Sequence, residues 1–283
     1  MVVSSWRPRA PDVVLYKTPH NIKMIFFLLI SMVHADFINE LEALPCDFPI
    51  LDKVPTDLSS PIIYRPSITP NQHIQELMTF ENMVDTHGER KVGVDFPGSH
   101  NPPTQAWKEM TVKDFIFEYV YETPDTPFAV WGPSDHCSYF QNCSHFCDDD
   151  EFCLYHNFVP KEIADEYDCS AFNTTWYKIF GMAGSMGGFD FHQHTAVWNQ
   201  LLHGKKLWAM YSPTDFDRPF ANRTALGHLE YIFHNDIPKP QFCVQHKGDI
   251  ILVPDGWYHL TFNFEPVVMA GCVTKYKPYT YIS

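Results

Sequence analysis

A double-stranded β-helix, or jelly roll, behind a helical N-terminal flank is the architecture expected of this chain, and the class is mainly β. Two observations carry that expectation. From Trp176 onward, short apolar runs of strand length follow one another, separated by glycine and proline turns. Helical spacing, by contrast, is confined largely to the first half. With 283 residues, 45% of them hydrophobic and 16% aromatic, the chain can bury a large core. Residues 36–283 are read as one domain, with a cysteine-rich insertion at about 137–169.

The elements follow in chain order. Asp36–Pro70 is punctuated by proline and reads as loops and edge strands, including Pro61–Tyr64. Ile74, Leu77, Met78 and Met83 have helical spacing, so one helix is expected over Asn71–His87, ended by the charged turn Gly88–Lys91. Val92–Phe96 alternates as a strand, and Asn101–Pro103 is a loop. Thr111–Tyr121 reads as an amphipathic helix, with Thr111 as its N-cap and Asp114 three residues on. Trp176–Phe180 is a strand, Gly181–Gly188 a flexible or close-packed glycine loop, and Phe189–His194 a strand. Ala196–Leu202 and Lys205–Tyr211 flank His203-Gly204 and are expected to form a hairpin. After a polar excursion holding a short helix near Thr224–Phe233, four strands finish the sheet: Gln241–His246, Gly248–Val253, Tyr258–Asn263 and Val267–Thr274.

The N-terminus carries a second kind of signal. Lys23 precedes a run of about ten apolar residues, and small residues stand at Val33 and Ala35. That is the order of a secretory signal peptide cleaved after Ala35. Met24 is then the natural start, and residues 1–23 an upstream extension. The run is too short to span a bilayer, and no transmembrane segment is expected in the mature chain. Three Asn-x-Ser/Thr sequons, at Asn142, Asn173 and Asn222, and eight cysteines agree with a glycosylated, disulfide-bonded protein of the secretory pathway. The expected address is the lumen of the endoplasmic reticulum, with secretion as the alternative.

Five of the cysteines, Cys137, Cys143, Cys147, Cys153 and Cys169, fall within the insertion. An oxidising compartment favours a disulfide-stapled loop over a zinc knot using His136, His145 and His156. Five is odd, so one partner lies elsewhere, and Cys46 is the first candidate. The net charge of −14 and the absence of a basic stripe argue against nucleic acid as a partner. The expected partner or substrate is a protein of the secretory pathway.

The chemistry lies in the last hundred residues. In extended chain, residues i and i+2 point the same way, so His192 and His194 aim at one point. His259 follows the Pro254–Asp255–Gly256 turn and arrives from a neighbouring strand. Three imidazoles on a rigid sheet suit a divalent transition metal. The bland alternative is an ordinary polar core that binds nothing.

Gly-x5-Pro-x-Gly-x2-His-x3-Asn, from Gly248 to Asn263, resembles the second cupin motif at every specified position. His192-x-His194 resembles the histidine pair of the first, although Asn199 stands roughly where that motif carries glutamate. Trp198-Asn199, Gly204-Lys205-Lys206-x-Trp208 and Gly248–Asn263 are most similar to the JmjC branch of the cupins. The resemblance implies a jelly roll and, in active members, Fe(II)- and 2-oxoglutarate-dependent oxygenation. It implies that His192 and His259 are metal ligands, that Lys206 pairs with the distal carboxylate of 2-oxoglutarate, and that Asn199 lines the cosubstrate pocket.

The departure is at the third ligand, where active members carry Asp or Glu and this chain has His194. A neutral ligand replaces an anion, which leaves the site one charge more positive. Phe189 and Gly271 stand where some relatives place threonines near the cosubstrate. Two readings follow: a lumenal protein oxygenase with a three-histidine site, or a non-catalytic lumenal scaffold or regulatory binder. A three-histidine thiol dioxygenase is a third.

Overall fold

Strands dominate the computed structural model. It describes residues 35–55, 58–67, 72–95, 108–121, 128–131, 163, 167–168, 178–215, 223–273 and 275–276. The chain divides into two compact units, Met1–Leu41 and Glu42–Ser283. In the first, the described residues, 35–41, are helical, where loop had been expected from 36. No described helix is long and apolar enough to cross a membrane. The signal sequence before Ala35, the three sequons, Asn101–Pro103 and the five clustered cysteines all lie outside the described residues.

The second unit is built on two sheets. The strands are β1 (Ile50–Leu51), β2 (Ile62–Tyr64), β3 (Lys91–Asp95), β4 (Lys108–Thr111), β5 (Phe128–Trp131), β6 (Tyr167–Asp168), β7 (Lys178–Ala183), β8 (Val197–His203), β9 (Lys205–Tyr211), β10 (Gln241–His246), β11 (Ile250–Val253), β12 (Tyr258–Asn263), β13 (Val267–Val273) and β14 (Lys275–Tyr276). The larger sheet runs β1-β2-β11-β8-β13-β7-β5-β3-β4, and the smaller β10-β9-β12. A separate pair joins β6 and β14. This is the two-sheet jelly roll expected from the sequence.

At β2, β8 and β11 the large sheet is buried on both faces, which explains why these strands read as continuous apolar runs rather than alternating ones. On one face, Ile62, Trp198, Ile250, Leu252, Val268 and Ala270 pack with Phe80, Met83, Phe115 and Ile116 of the helical flank. On the other face, Ile63, Val197, Ile251 and Val253 meet Trp208, Met210 and Cys243 of the small sheet.

Several expectations need correction. The helix expected over Asn71–His87 is two helices, α1 (Gln72–Leu77) and α2 (Phe80–His87). Thr79 interrupts them: its backbone is extended and its hydroxyl caps α2 by accepting from Asn82 N, an alternative to helical bonding open to threonine. Thr111 caps α3 (Val112–Phe115) through Asp114 N as expected, but the chain then continues as a π-helical turn over Ile116–Val120. In the glycine loop, Gly181–Ala183 belongs to β7.

The hairpin over 196–211 does not form. β8 pairs with β11 and β13 in the large sheet, whereas β9 pairs with β10 and β12 in the small one. Gly204 is a corner that carries the chain between sheets. Its φ is +85°, and a Cβ there would lie 2.1 Å from Pro266 O, so no other residue fits.

Cys46 is bonded to Cys243, not to a cysteine of the insertion. The bond joins residues 197 apart in sequence and fixes the segment entering the fold to β10, a pairing that spacing cannot reveal. With that pair assigned, six cysteines remain, the five of the insertion and Cys272.

Candidate metal centre

Phe189–His194 is not a regular strand. Its only ladder pair among the described residues is a bridge between His192 and His259, which exchange both backbone hydrogen bonds at 3.1 and 2.9 Å. The chain is nevertheless sewn along β12, with Thr261 N donating to Phe189 O at 3.0 Å and Asn263 N to Gly187 O at 2.8 Å. Gly188 allows this close run: a Cβ there would sit 1.9 Å from Thr261 O. Gly256, at φ +74° in the turn before β12, donates its N–H to His194 O at 3.1 Å. The segment is therefore held at both ends and bridged in the middle.

The three predicted histidines come together. A possible ligand nitrogen from each of His192, His194 and His259 lies within 4.8 Å of the other two. The ring centroids of His192 and His194 are 4.2 and 4.7 Å from that of His259. Each Nδ1 lies against a backbone carbonyl: His192 with Asp190 O at 2.7 Å, His194 with Thr195 O at 2.6 Å, His259 with Trp257 O at 2.9 Å. A carbonyl oxygen only accepts, so each Nδ1 carries the hydrogen and each Nε2 keeps its lone pair. Such partners fix ring orientation and tautomer in metal-binding histidines.

Electrostatics favour the same state. Burial, then the neighbouring His192 and His194, holds the His259 imidazole well below the usual histidine range, and burial lowers His194 as well. Protonation here would place positive charges side by side in a dry site. A divalent cation coordinated by neutral rings satisfies the three lone pairs with no such cost.

Lys206 and Asn199 lie deeper in the same interior. Lys206 stands opposite Gln245 and Asn263 in the small sheet, on the face that carries Trp208 and His259. It is 1% exposed, and burial alone lowers its ammonium to about 7. Its Nζ lies 5.5 Å from the Trp208 ring centroid and contacts Met269 Sδ at 3.0 Å. Asn199 Nδ2 meets the same sulfur at 3.1 Å. The carbonyl oxygens of the Asn199 and Asn263 side chains are buried with no partner among the described residues. A buried cation with no carboxylate partner among the described residues, beside two orphaned acceptors, fits a small polar acid with bound water.

Behind these residues Gln245 ties the sheets together. It accepts from Trp208 Nε1 at 2.8 Å and donates to Asn199 O and Asp249 O at 2.9 and 3.0 Å. Sequence reasoning missed Gln245 and Met269, because both sit in strands with no motif to mark them. Gly271 also gains a physical reason: a Cβ there would lie 2.7 Å from Trp198 O, leaving no room for a threonine. A surface cavity of about 590 Å³, lined by Lys91, Glu109 and Phe117 among others, contains no histidine.

No family model matches the sequence. JmjC domain-containing protein 8 of Mus musculus is 24% identical over 219 residues, covering 74% of this chain and 72% of that protein. The 2-oxoglutarate and iron-dependent oxygenase JMJD4 of Homo sapiens is 23% identical over 213 residues, 67% of this chain and 48% of that protein. The arginine-specific demethylase JMJ22 of Arabidopsis thaliana is 32% identical over 104 residues, 31% of this chain and 20% of that protein. These relatives support a JmjC assignment. Within that family a jelly roll is the implied fold, and the two sheets have that form. The three-histidine cluster lies where the JmjC resemblance implies the metal ligands, with His194 as the residue that departs from the pattern.

Proposed function

We propose that the chain is a JmjC-type protein of the secretory pathway that holds a divalent metal, Fe(II) foremost, through His192, His194 and His259. The observation that carries the reading is that all three rings donate Nδ1–H to backbone carbonyls and leave their Nε2 atoms as ligands. Lys206 and Asn199 would seat the carboxylate of a 2-oxo acid, 2-oxoglutarate being the form implied by relatives such as JMJD4. Bound Fe(II) would supply oxygen activation for oxidation of a protein side chain. The chain's own part is to orient the ligands, exclude water with Trp208 and Phe189, and offer a cation to the acid. The sequons and eight cysteines support a lumenal, glycosylated setting.

A second reading is a non-catalytic lumenal JmjC scaffold or regulatory binder. The observation favouring it is that Lys206 and Asn199 already contact Met269, while Phe189 and Gly271 supply no hydroxyl. The two readings separate in an anaerobic titration of Fe(II) and 2-oxoglutarate into the wild type beside His194→Asp. Metal-dependent binding of 2-oxoglutarate by the wild type, followed by its oxygen-dependent decarboxylation, supports the oxygenase. Turnover confined to His194→Asp supports the scaffold. Absence of any shift in melting temperature with Fe(II) or Mn(II) removes the metal from both.

A further inference from the structure

The contact that fills the lysine end of the interior comes from the last long strand. β13 pairs with β8 through a register shift, in which Val268 lies opposite His203 but Met269 opposite Leu201, so Leu202 has no partner on β13. Such a bulge redirects the side chains beside it and is frequent next to active sites. The extra residue is on β8, and β13 itself alternates regularly: Val268 and Ala270 pack toward the helical flank, while Val267 and Met269 pack inward with Ala183 and Leu201, against Phe189. Its sulfur lies 3.0 Å from Lys206 Nζ and 3.1 Å from Asn199 Nδ2. A thioether is a weak acceptor and a poor match for a buried ammonium. Gly271, two residues on, has no side chain that could reach the same donors.

We infer that Met269 is the specificity-determining residue of the acid pocket. Its thioether takes the acceptor position at Lys206 and Asn199, so a carboxylic acid binds there only by displacing the methionine side chain. This rests on the reading of Lys206 as an acid anchor. Methionine suits such a role because its three rotatable bonds let it leave one position and repack in another. An acid brings two oxygens able to accept from both donors at once, and a charged acceptor forms the stronger bonds. The pocket therefore discriminates between acids that can carry the cost of moving Met269 and those that cannot.

The test is calorimetric titration of 2-oxoglutarate into metal-free full-length wild type, Met269→Ala and Lys206→Ala. Met269→Ala is expected to bind about tenfold tighter than wild type, the gain of roughly one charge-assisted hydrogen bond no longer opposed. Lys206→Ala is expected to lose binding. Equal affinity in wild type and Met269→Ala, or no binding by a folded Met269→Ala, overturns the role of Met269. If Lys206→Ala still loses binding in the first case, the acid anchor survives; undiminished binding by Lys206→Ala removes the anchor as well.

A second readout does not depend on the alanine variant folding. In wild type labelled with ¹³C at its ten methionine methyl groups, the Met269 signal is identified by its loss in Met269→Leu. That signal is expected to move as 2-oxoglutarate is added. A Met269 methyl unmoved at the highest 2-oxoglutarate concentration overturns the proposal.

Discussion

The histidine end and the lysine end of the interior are built partly on the same strand, β12, which carries His259 at one end and Asn263 at the other. They differ in how their polar groups are partnered. At the histidine end every Nδ1 has its carbonyl, and the three remaining lone pairs converge. At the lysine end an ammonium meets a sulfur, and two amide oxygens meet nothing among the described residues. One end is organised for a cation before any cation arrives. The other is filled by the chain's own Met269, so any acid that entered it would compete with the protein itself.

The largest effect is expected at the organised end. Removing His259, the most buried of the three histidines, leaves two of them on a segment that β12 no longer supports with a ring. His259→Ala should lower affinity for Fe(II) or Mn(II) by about 100-fold or more, the scale on which loss of even supporting partners is felt. Anaerobic metal titration followed by melting temperature measures it. Retention of wild-type affinity would mean that the convergence of the three rings is packing and nothing more.

Next comes the lysine. A fully buried ammonium without a carboxylate opposes folding, so Lys206→Met should stabilise the metal-free protein, by about 1–3 kcal/mol, while removing acid binding. The direction distinguishes the ends, because a site residue that costs stability is retained for a ligand. Urea unfolding at pH 7 measures it; destabilisation would place Lys206 among the structural residues.

The two ends also titrate in separate windows. The Lys206 ammonium is lowered from 10.5 to about 7, so between those values the unfolded chain holds a proton that the folded chain lacks. Stability then rises with pH across that window, by at most about 1.4 kcal/mol per unit. Lys206→Met should abolish the rise. The lowered histidines, His194 and His259 with His228 at about 4, act below 6.5. There the unfolded chain takes up protons that the folded chain refuses, and stability falls as pH falls. Metal binding should weaken over the same acid range, since protons compete for the same lone pairs.

What was legible in the sequence follows from range. The final strands, the cap at Thr111 and the short helix after Thr224 are set by local patterns, and each was read within a residue or two. The histidines were legible because the Gly248–Asn263 motif places one of them through its turn and the i, i+2 spacing places the other two. The sheet change at Gly204 was not legible, because a positive-φ glycine between two strands serves a hairpin and a sheet corner equally well. Cys46–Cys243 and Met269 lay beyond reach for another reason. The first is a pairing across 197 residues, and the second is an ordinary apolar strand position whose contact with Lys206 depends on how the two sheets face each other.

The smallest effect is the sharpest check on whether the lysine end is a ligand site or a flaw in packing. Among the described residues, Asn263 makes one long side-chain bond, Nδ2 to Gly184 O at 3.3 Å, and buries its side-chain oxygen without a partner. In Asn263→Leu the weak bond is lost, but so is the orphaned acceptor, and the two changes oppose each other. The expected change in stability of the metal-free protein is within about 1 kcal/mol. The same variant should weaken 2-oxoglutarate binding if Asn263 holds a water or the acid itself. Strong destabilisation would show that Asn263 fixes the 184–188 loop and hence the approach of Phe189 and His192 to β12. The lysine end would then serve the histidine end mechanically, and the contrast between them would be one of support rather than of ligands.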